Sequence, residues 1–309
     1  MSADYNPAPM PQSPPSPPLE ETVAIVGVGL IGGSLAAALR QRKVARHVIG
    51  VGRDASRLEA ARKAGLIDEG STDLAKVALR ASLIVFCTPV ERVAEGVRTA
   101  LAGLASDSSL ATRHSPLATH HSSLLLTDAG SVKGSICEAL ADIPNFIGAH
   151  PIAGSHRQGF EAAEANLFEG KVCVLTPPAN ADSGRFHRLE RFWQAVGMKT
   201  VTMTPDDHDR ALAMTSHLPH VVASSLAATL SPENRSLTGT GFRDTTRVAA
   251  GDPTLWSGIL LNNVSHVVAG IDDVQHRLES FRTALMLGNA DVLKQLLEEG
   301  QASREALAP

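Results

Sequence analysis

The sequence predicts an α/β fold: a Rossmann-like doubly wound sheet followed by an all-helical C-terminal domain. Three observations carry that expectation. Short apolar runs alternate with helical stretches from residue 22 to about residue 203. The first run, TVAIV at 22–26, leads directly into Gly27-Val28-Gly29-Leu30-Ile31-Gly32-Gly33-Ser34 and an Ala/Leu-rich helix. From Pro205 onward the strand signal stops and long Ala/Leu-rich segments take over, which marks a domain boundary near Met203.

The composition narrows the partners. With 309 residues and 43% hydrophobic content, the chain can bury a substantial core and divide into two domains. A net charge of -4 with 12 His supplies no broad basic surface, which argues against nucleic acid or an anionic membrane and for a small-molecule ligand. Cys87, Cys137 and Cys173 are odd in number, far apart and set in apolar sequence. That pattern fits reduced thiols in a cytoplasmic protein rather than a disulfide framework or a metal site. No apolar run approaches the ~20 residues of a membrane span, and the N-terminus lacks the basic start and apolar core of a signal peptide.

Taken in order, residues 1–20 read as a disordered Pro-rich tail. The glycine cluster then matches the dinucleotide fingerprint in its proper setting, strand before and helix after. Gly27 allows the tight turn, Gly29 lets backbone approach a pyrophosphate, and Gly32 lets the helix pack close on the strand. Leu30 and Ile31 open that helix, whose free N–H groups suit phosphate. The second strand, 47–51, ends in Gly52-Arg53-Asp54. A small residue followed by Arg53 makes room for a 2′-phosphate and supplies its partner, which favours NADP, while Asp54 keeps NAD open.

A helix at 55–64 and a strand at 83–87 follow, and Thr88-Pro89-Val90 reads as a loop over the nicotinamide half of the cofactor. Residues from about 105 to 123 have no apolar periodicity and read as a mobile insertion. His114, His120 and His121 within it lack the Cys or acidic neighbours of a metal site, so no metal is expected. Two further strand-like runs, 124–126 and 145–149, deliver Ser131 and His150 from consecutive strand ends. Such ends meet at one site in an open α/β sheet; the alternatives are that Ser131 caps a helix and His150 opens a turn before Pro151. A strand at 171–176, a helix at 185–195 and a last strand at 199–203 complete the first domain, 21–203. By fold-level analogy the helical domain, 204–309, completes the substrate site and pairs two subunits as a homodimer.

Five motifs in one order carry a resemblance. They are Gly-Val-Gly-Leu-Ile-Gly-Gly-Ser (27–34), Asp-Ala-Gly-Ser-Val-Lys (128–133), Gly-Ala-His-Pro-Ile-Ala-Gly-Ser (148–155), Ser-His-Leu-Pro-His (216–220) and Gly-Phe-Arg-Asp-Thr-Thr-Arg (241–247). Through them the chain resembles the prephenate/arogenate dehydrogenase family of tyrosine biosynthesis, over nearly everything from residue 22 to about 289. The resemblance implies a monofunctional, metal-free enzyme that removes hydride from C4 of a cyclohexadienyl alcohol, transfers it to NAD(P) and releases CO₂ to leave an aromatic ring. It implies that His150 accepts the substrate hydroxyl's proton and that Ser131 orients His150 and touches the nicotinamide edge. It further implies that Arg247 anchors a substrate carboxylate and that His217 and His220 contact substrate. The residues themselves leave other readings open: Arg247 as a surface partner of Asp244, the two histidines as helix caps, and Trp256 as a wall of the site or as core.

One departure bears on substrate. Where many members carry an acid, this chain has His156-Arg157, which removes a partner for the ammonium of arogenate and favours prephenate. The competing functions are an arogenate dehydrogenase forming tyrosine and a non-catalytic dinucleotide sensor. The sensor accounts for the glycines but not for Ser131, His150 and Arg247 together. A β-hydroxyacid dehydrogenase would rely on a lysine in the helical domain, and residues 205–309 offer only Lys294.

Overall fold

The computed structural model describes residues 18–106, 123–154 and 157–307. The Pro-rich segment 1–17, the body of the expected insertion with its three histidines, and His156 lie outside the described residues.

The strands are β1 (Glu20–Val26), β2 (Ala45–Val51), β3 (Glu69–Ser71), β4 (Leu83–Phe86), β5 (Leu125–Asp128), β6 (Phe146–Pro151), β7 (Val172–Thr176) and β8 (Lys199–Thr202). They form one sheet in the order β3-β2-β1-β4-β5-β6-β7-β8. Neighbours run parallel except β6 and β7, which pair antiparallel. β4 and β5 are buried along their whole length, as strands covered on both faces must be. β3 escapes a sequence reading because Glu69-Gly70-Ser71 carries no apolar pattern; it forms as an edge partner of β2.

Helices cover both faces. α1 (Leu30–Gln41) and α6 (Ser183–Val196) pack on one, where Leu35, Leu39, Leu189, Phe192 and Trp193 join Ile25, Val85 and Ile147. α2 (Ala55–Lys63) follows β2. α3 (Leu74–Ala78), α4 (Val90–Ser106) and α5 (Gly134–Ala139) pack on the other face, where Val77, Val93, Val97 and Ile136 meet Ala24, Ile84 and Phe86. Between β6 and β7 the described residues form the short 3₁₀ turn Phe160–Ala162, seated against Gly33 of α1, and β7 then pairs antiparallel with β6.

After Thr202 no further strand occurs among the described residues. α7 (Pro205–Leu212) runs into one turn of π-helix (Ala213–His217) and then α8 (Leu218–Ala228). α9 (Thr240–Thr246), a 3₁₀ turn (Arg247–Ala250), α10 (Pro253–Asn262), α11 (Val264–Met286) and α12 (Ala290–Glu305) complete the chain.

One buried ion pair ties the middle of the sheet together. Lys133, fully buried, pairs its ammonium with Asp128 Oδ2 and donates to the Ala149 carbonyl at 2.9 Å. Asp128 Oδ1 accepts the Ala149 N–H at 3.0 Å, and Oδ2 accepts the Gly130 N–H at 2.9 Å. β5 ends at Asp128, so its side chain satisfies the β6 backbone where the ladder has stopped. Removing one member of a buried pair leaves the other charge uncompensated. Lys133→Met is therefore expected to cost about 3–5 kcal/mol of stability, read as a shift of the urea midpoint; a loss below about 1 kcal/mol would show that water or backbone replaces the ammonium.

Candidate active site

The strand order reverses between β1 and β4, the place where open α/β sheets bind ligands. Gly27, directly after β1, has a φ of +94°, and a Cβ there would stand 2.7 Å from the Cys87 carbonyl oxygen at the end of β4. A Cβ at Gly32 would stand 2.1 Å from the Gly27 carbonyl oxygen, so the first turn of α1 seats directly on the glycine turn. At Gly29 a Cβ would meet nothing within 4 Å. The three glycines thus make the turn, open the approach and close the packing. Leu30 and Ile31, half-buried, begin α1 beside that opening. Thr88 joins this turn, its Cγ2 lying 3.2 Å from the place of a Gly27 Cβ. Its buried Oγ1 has no hydrogen-bond partner among the described residues, and Pro89 beside it is exposed. Burial, then the Asp128 carboxylate, pushes the Cys87 thiol up to about 12, which keeps it protonated and unreactive.

At the end of β2, Gly52 is half-buried and Arg53 is exposed. The Asp54 carboxylate caps α2, accepting from the Ser56 hydroxyl at 2.6 Å and from the N–H groups of Ser56 at 2.9 Å and Arg57 at 3.2 Å. Those bonds, the Ser56 hydroxyl foremost, hold Asp54 below the usual carboxylate range. Oδ1 of the carboxylate that keeps a ribose contact open thus caps the helix N-terminus.

The second half of the site gathers around His150. It lies inside β6 rather than opening a turn, and Pro151 is accommodated because β5 no longer pairs beside it. His150 is 8% exposed. Its Nδ1 meets Nε2 of His208 at 2.8 Å, and Nδ1 of His208 meets Asp209 Oδ1 at 2.7 Å. Asp209 also accepts the N–H groups of Lys133 and Gly134, each at 2.7 Å. Burial alone would raise its carboxyl; the hydrogen bonds from His208, Lys133 and Gly134 outweigh burial and hold it below the ordinary value. His150 sits well below its ordinary value, chiefly because it is buried and then because His208, Lys133 and His217 are near. It is a neutral imidazole at pH 7.

At Nδ1 the hydrogen-bond partner that orients His150 is His208 rather than Ser131. Ser131 is half-buried after β5 and does not cap α5, which begins at Lys133 without a side-chain cap.

The helical region supplies the remaining wall. His217 closes the π turn, buried, with Nδ1 3.1 Å from Asn263 Nδ2, and Asn263 donates to the Asp209 carbonyl at 2.7 Å. His220 stacks on Trp256, ring centroids 3.7 Å apart and planes 13° from parallel, and Trp256 also meets His217 edge-on at 6.3 Å. Neither histidine caps a helix with its side chain. Trp256 is half-buried and packs on the core beneath α4, so it serves as both core and wall. The place of a Gly251 Cβ lies 2.4 Å from Trp256 Nε1 and 2.9 Å from His220 Cε1. The 3₁₀ turn ending at Ala250 therefore runs into this stack. Arg247 begins that turn, exposed, and no ion pair with Asp244 occurs among the described residues. Arg157 is exposed with Nη1 3.5 Å from Glu164 Oε1.

His208, Asp209 and Asn263 are the site residues that sequence reading misses. The only local signal is the dense Asp206-Asp207-His208-Asp209 run, which reads as an acidic first turn of a helix. Chemically, the site offers a cradle for a pyrophosphate beside a neutral imidazole held in one orientation.

Burial lowers the His217 value to about 4, against an ordinary 6.5. The unfolded chain thus binds a proton there that the folded one refuses. His217 and His150 leave stability at its full value above pH 6.5 and erode it as pH falls toward 4. His217→Gln is expected to flatten the slope of urea midpoint against pH between 6.5 and 4; an unchanged slope would remove His217 from the acid sensitivity.

Comparison with known proteins shows the family. The model described as "Prephenate dehydrogenase, nucleotide-binding domain" matches residues 35–202, and "Prephenate dehydrogenase, dimerization domain" matches residues 204–299. The chain is 30% identical to the prephenate dehydrogenase of Bacillus subtilis, over 94% of this chain and 76% of that one. It is 32% identical to the cyclohexadienyl dehydrogenase of Zymomonas mobilis, over 92% and 95%. The crystal structure of prephenate dehydrogenase from Aquifex aeolicus, in complex with hydroxyphenyl propionate and NAD+, superposes with a TM-score of 0.80 at 32% identity, covering 92% of this chain and 97% of that one.

Proposed function

The chain belongs to the prephenate/arogenate dehydrogenase family, and from that premise we propose that it converts prephenate to 4-hydroxyphenylpyruvate and CO₂ in tyrosine biosynthesis. It is an oxidoreductase dependent on a nicotinamide dinucleotide. The observation that carries the reading is a neutral, nearly buried His150 at a strand end, beside a glycine turn built for a dinucleotide.

The residues fit the cofactor. Gly29 leaves open space at the N-terminus of α1, and the unpartnered Thr88 Oγ1 offers a polar contact nearby. Gly27, Gly29, Leu30, Ile31 and Gly32 would hold the pyrophosphate, with Thr88 and Pro89 toward the nicotinamide. When bound, the nicotinamide accepts the hydride that leaves C4 of the substrate. His150 accepts the hydroxyl proton as the C4–O bond gains carbonyl character. As CO₂ leaves and the ring becomes aromatic, the oxygen takes that proton back, so no net proton departs. Arg247 anchors a substrate carboxylate with its planar fork, and His217 and His220, backed by Trp256, line the ring. Ser131, half-buried after β5, would touch the nicotinamide edge.

His156 and Arg157 in place of an acid favour prephenate over arogenate, the runner-up substrate. For the cofactor, Asp54 is engaged as a helix cap and Arg53 is exposed beside a small residue, which supports NADP; the Aquifex complex holds NAD+. We read the boundary near Met203 as dividing a dinucleotide unit from a helical unit that also pairs two subunits. Exposed Leu261, Leu278, Leu285, Met286 and Leu287 support that pairing, as does the matched dimerization domain. Among the described residues no helix is long and apolar enough to cross a membrane, and the three cysteines are free, which supports a cytoplasmic location.

Incubation with prephenate and either dinucleotide, followed by absorbance of the reduced nicotinamide, tests the activity. His150→Asn is expected to lower kcat about 10²- to 10⁴-fold with dinucleotide affinity nearly unchanged; near-normal turnover would remove His150 from the mechanism. In the same assay Arg53→Ala is expected to weaken NADP by roughly 1.5–3 kcal/mol and NAD far less, and equal losses would refute the NADP assignment.

A further inference from the structure

We propose that His208 and Asp209 are positioning residues for His150: they dictate which ring nitrogen carries its proton and share the positive charge it acquires on accepting another. The first half stands on geometry alone; the second rests on the role given to His150 above.

The tautomer follows from donor and acceptor accounting. Asp209 receives three hydrogen bonds, from Lys133 N–H, Gly134 N–H and the His208 ring, and an ionised carboxylate only accepts. His208 must therefore carry its proton on Nδ1. A neutral imidazole protonated at Nδ1 has its lone pair on Nε2, so His208 Nε2 is an acceptor. The partner at 2.8 Å, His150 Nδ1, must then be the donor. His150 is left with its lone pair on Nε2, the form able to accept a proton from a hydroxyl. The relation is rigid because each member is held elsewhere: His150 lies in β6, and Asp209 is clamped to the start of α5 by two backbone groups.

The charge follows the same line. His150 faces Lys133 from the N-terminus of α5, His217 from the π turn and His208 from α7, with Val174 opposite it on β7. The ammonium of Lys133 is already neutralised by Asp128. Asp209, reached only through His208, is the remaining carboxylate in this group. When His150 gains a proton at Nε2, its Nδ1–H bond to His208 strengthens, and His208 is in turn polarised against Asp209. The proton returns to the substrate oxygen when the ring aromatises, so the pair needs no exit to solvent. Were the extra proton on His208 instead, its Nε2–H would donate to His150 Nδ1 and force the His150 proton onto Nε2, removing the acceptor.

Two variants separate this role from packing. His208→Gln keeps an acceptor for His150 Nδ1–H but cannot share charge; His208→Phe keeps ring volume and supplies neither. Nitrogen-15 NMR of histidine-labelled protein, with the His150 signals assigned by their loss in His150→Asn, reads the tautomer without substrate. The Nδ1–H form is expected in the parent and in His208→Gln, and its loss in His208→Phe. With prephenate, kcat is expected to fall about 10-fold in His208→Gln and about 100-fold or more in His208→Phe, while KM stays within about threefold. An Nε2–H tautomer in the parent overturns the proposal, as does a His208→Phe protein that keeps both the Nδ1–H form and parental kcat. If His208→Phe does not fold, the parent and His208→Gln spectra decide the tautomer. If the parent does not turn over prephenate, the functional reading fails while the same spectra still judge the geometry.

Discussion

The pairing of Lys133 with Asp128 is the constraint on which the site depends, because two charges placed in the middle of a sheet must each be satisfied completely. Asp128 meets its share by taking Gly130 N–H and Ala149 N–H; Lys133 meets its share by reaching the Ala149 carbonyl. These bonds fix the residue before His150 from both its N–H and its C=O. The same short segment then turns its backbone outward, and the N–H groups of Lys133 and Gly134 hold Asp209. Residues 128–134 therefore clamp the sheet to the first helix of the helical region. A side chain carries one half of the clamp and the backbone the other.

Around that clamp the protein assembles imidazoles rather than permanent charges. His150, His208, His217 and His220 are all buried, and Asp209 is the carboxylate among them. Burial favours neutral rings, which suits a group that must take a proton and return it within one turnover. A lysine so placed would need its own counterion, as Lys133 does. The Nδ1 of His220 and the Oγ1 of Thr88 are buried polar atoms without a hydrogen-bond partner among the described residues. Unsatisfied buried atoms of this kind cost stability unless a ligand completes them.

What was legible from the sequence shares one property: it depends on neighbours along the chain. The glycine turn is written within eight residues, and each glycine's role is local, a positive φ at Gly27 or a close seat at Gly32. The alternation of strand and helix up to residue 202, and its replacement by helix afterwards, is a matter of period and composition. His150 and Ser131 could be named because consecutive strand ends point the same way in a parallel sheet. The helix cap at Asp54 was not read from the sequence, which named Asp54 only as a ribose contact, although the cap is a three-residue pattern.

The sequence by itself thus determined the fold class and the dinucleotide turn, since short-range backbone preferences and apolar periodicity suffice for each, and it placed His150 at a strand end. The tertiary structure alone decided what orients that imidazole. His208 lies 58 residues from His150, and Asp209 lies 76 residues from Lys133. No local pattern marks such a pair, because the bond exists only once α7 docks at the end of β6. The direction of β7 was likewise undecided along the chain: an apolar strand pattern reads the same from either end, and its antiparallel pairing with β6 is set only in the assembled sheet.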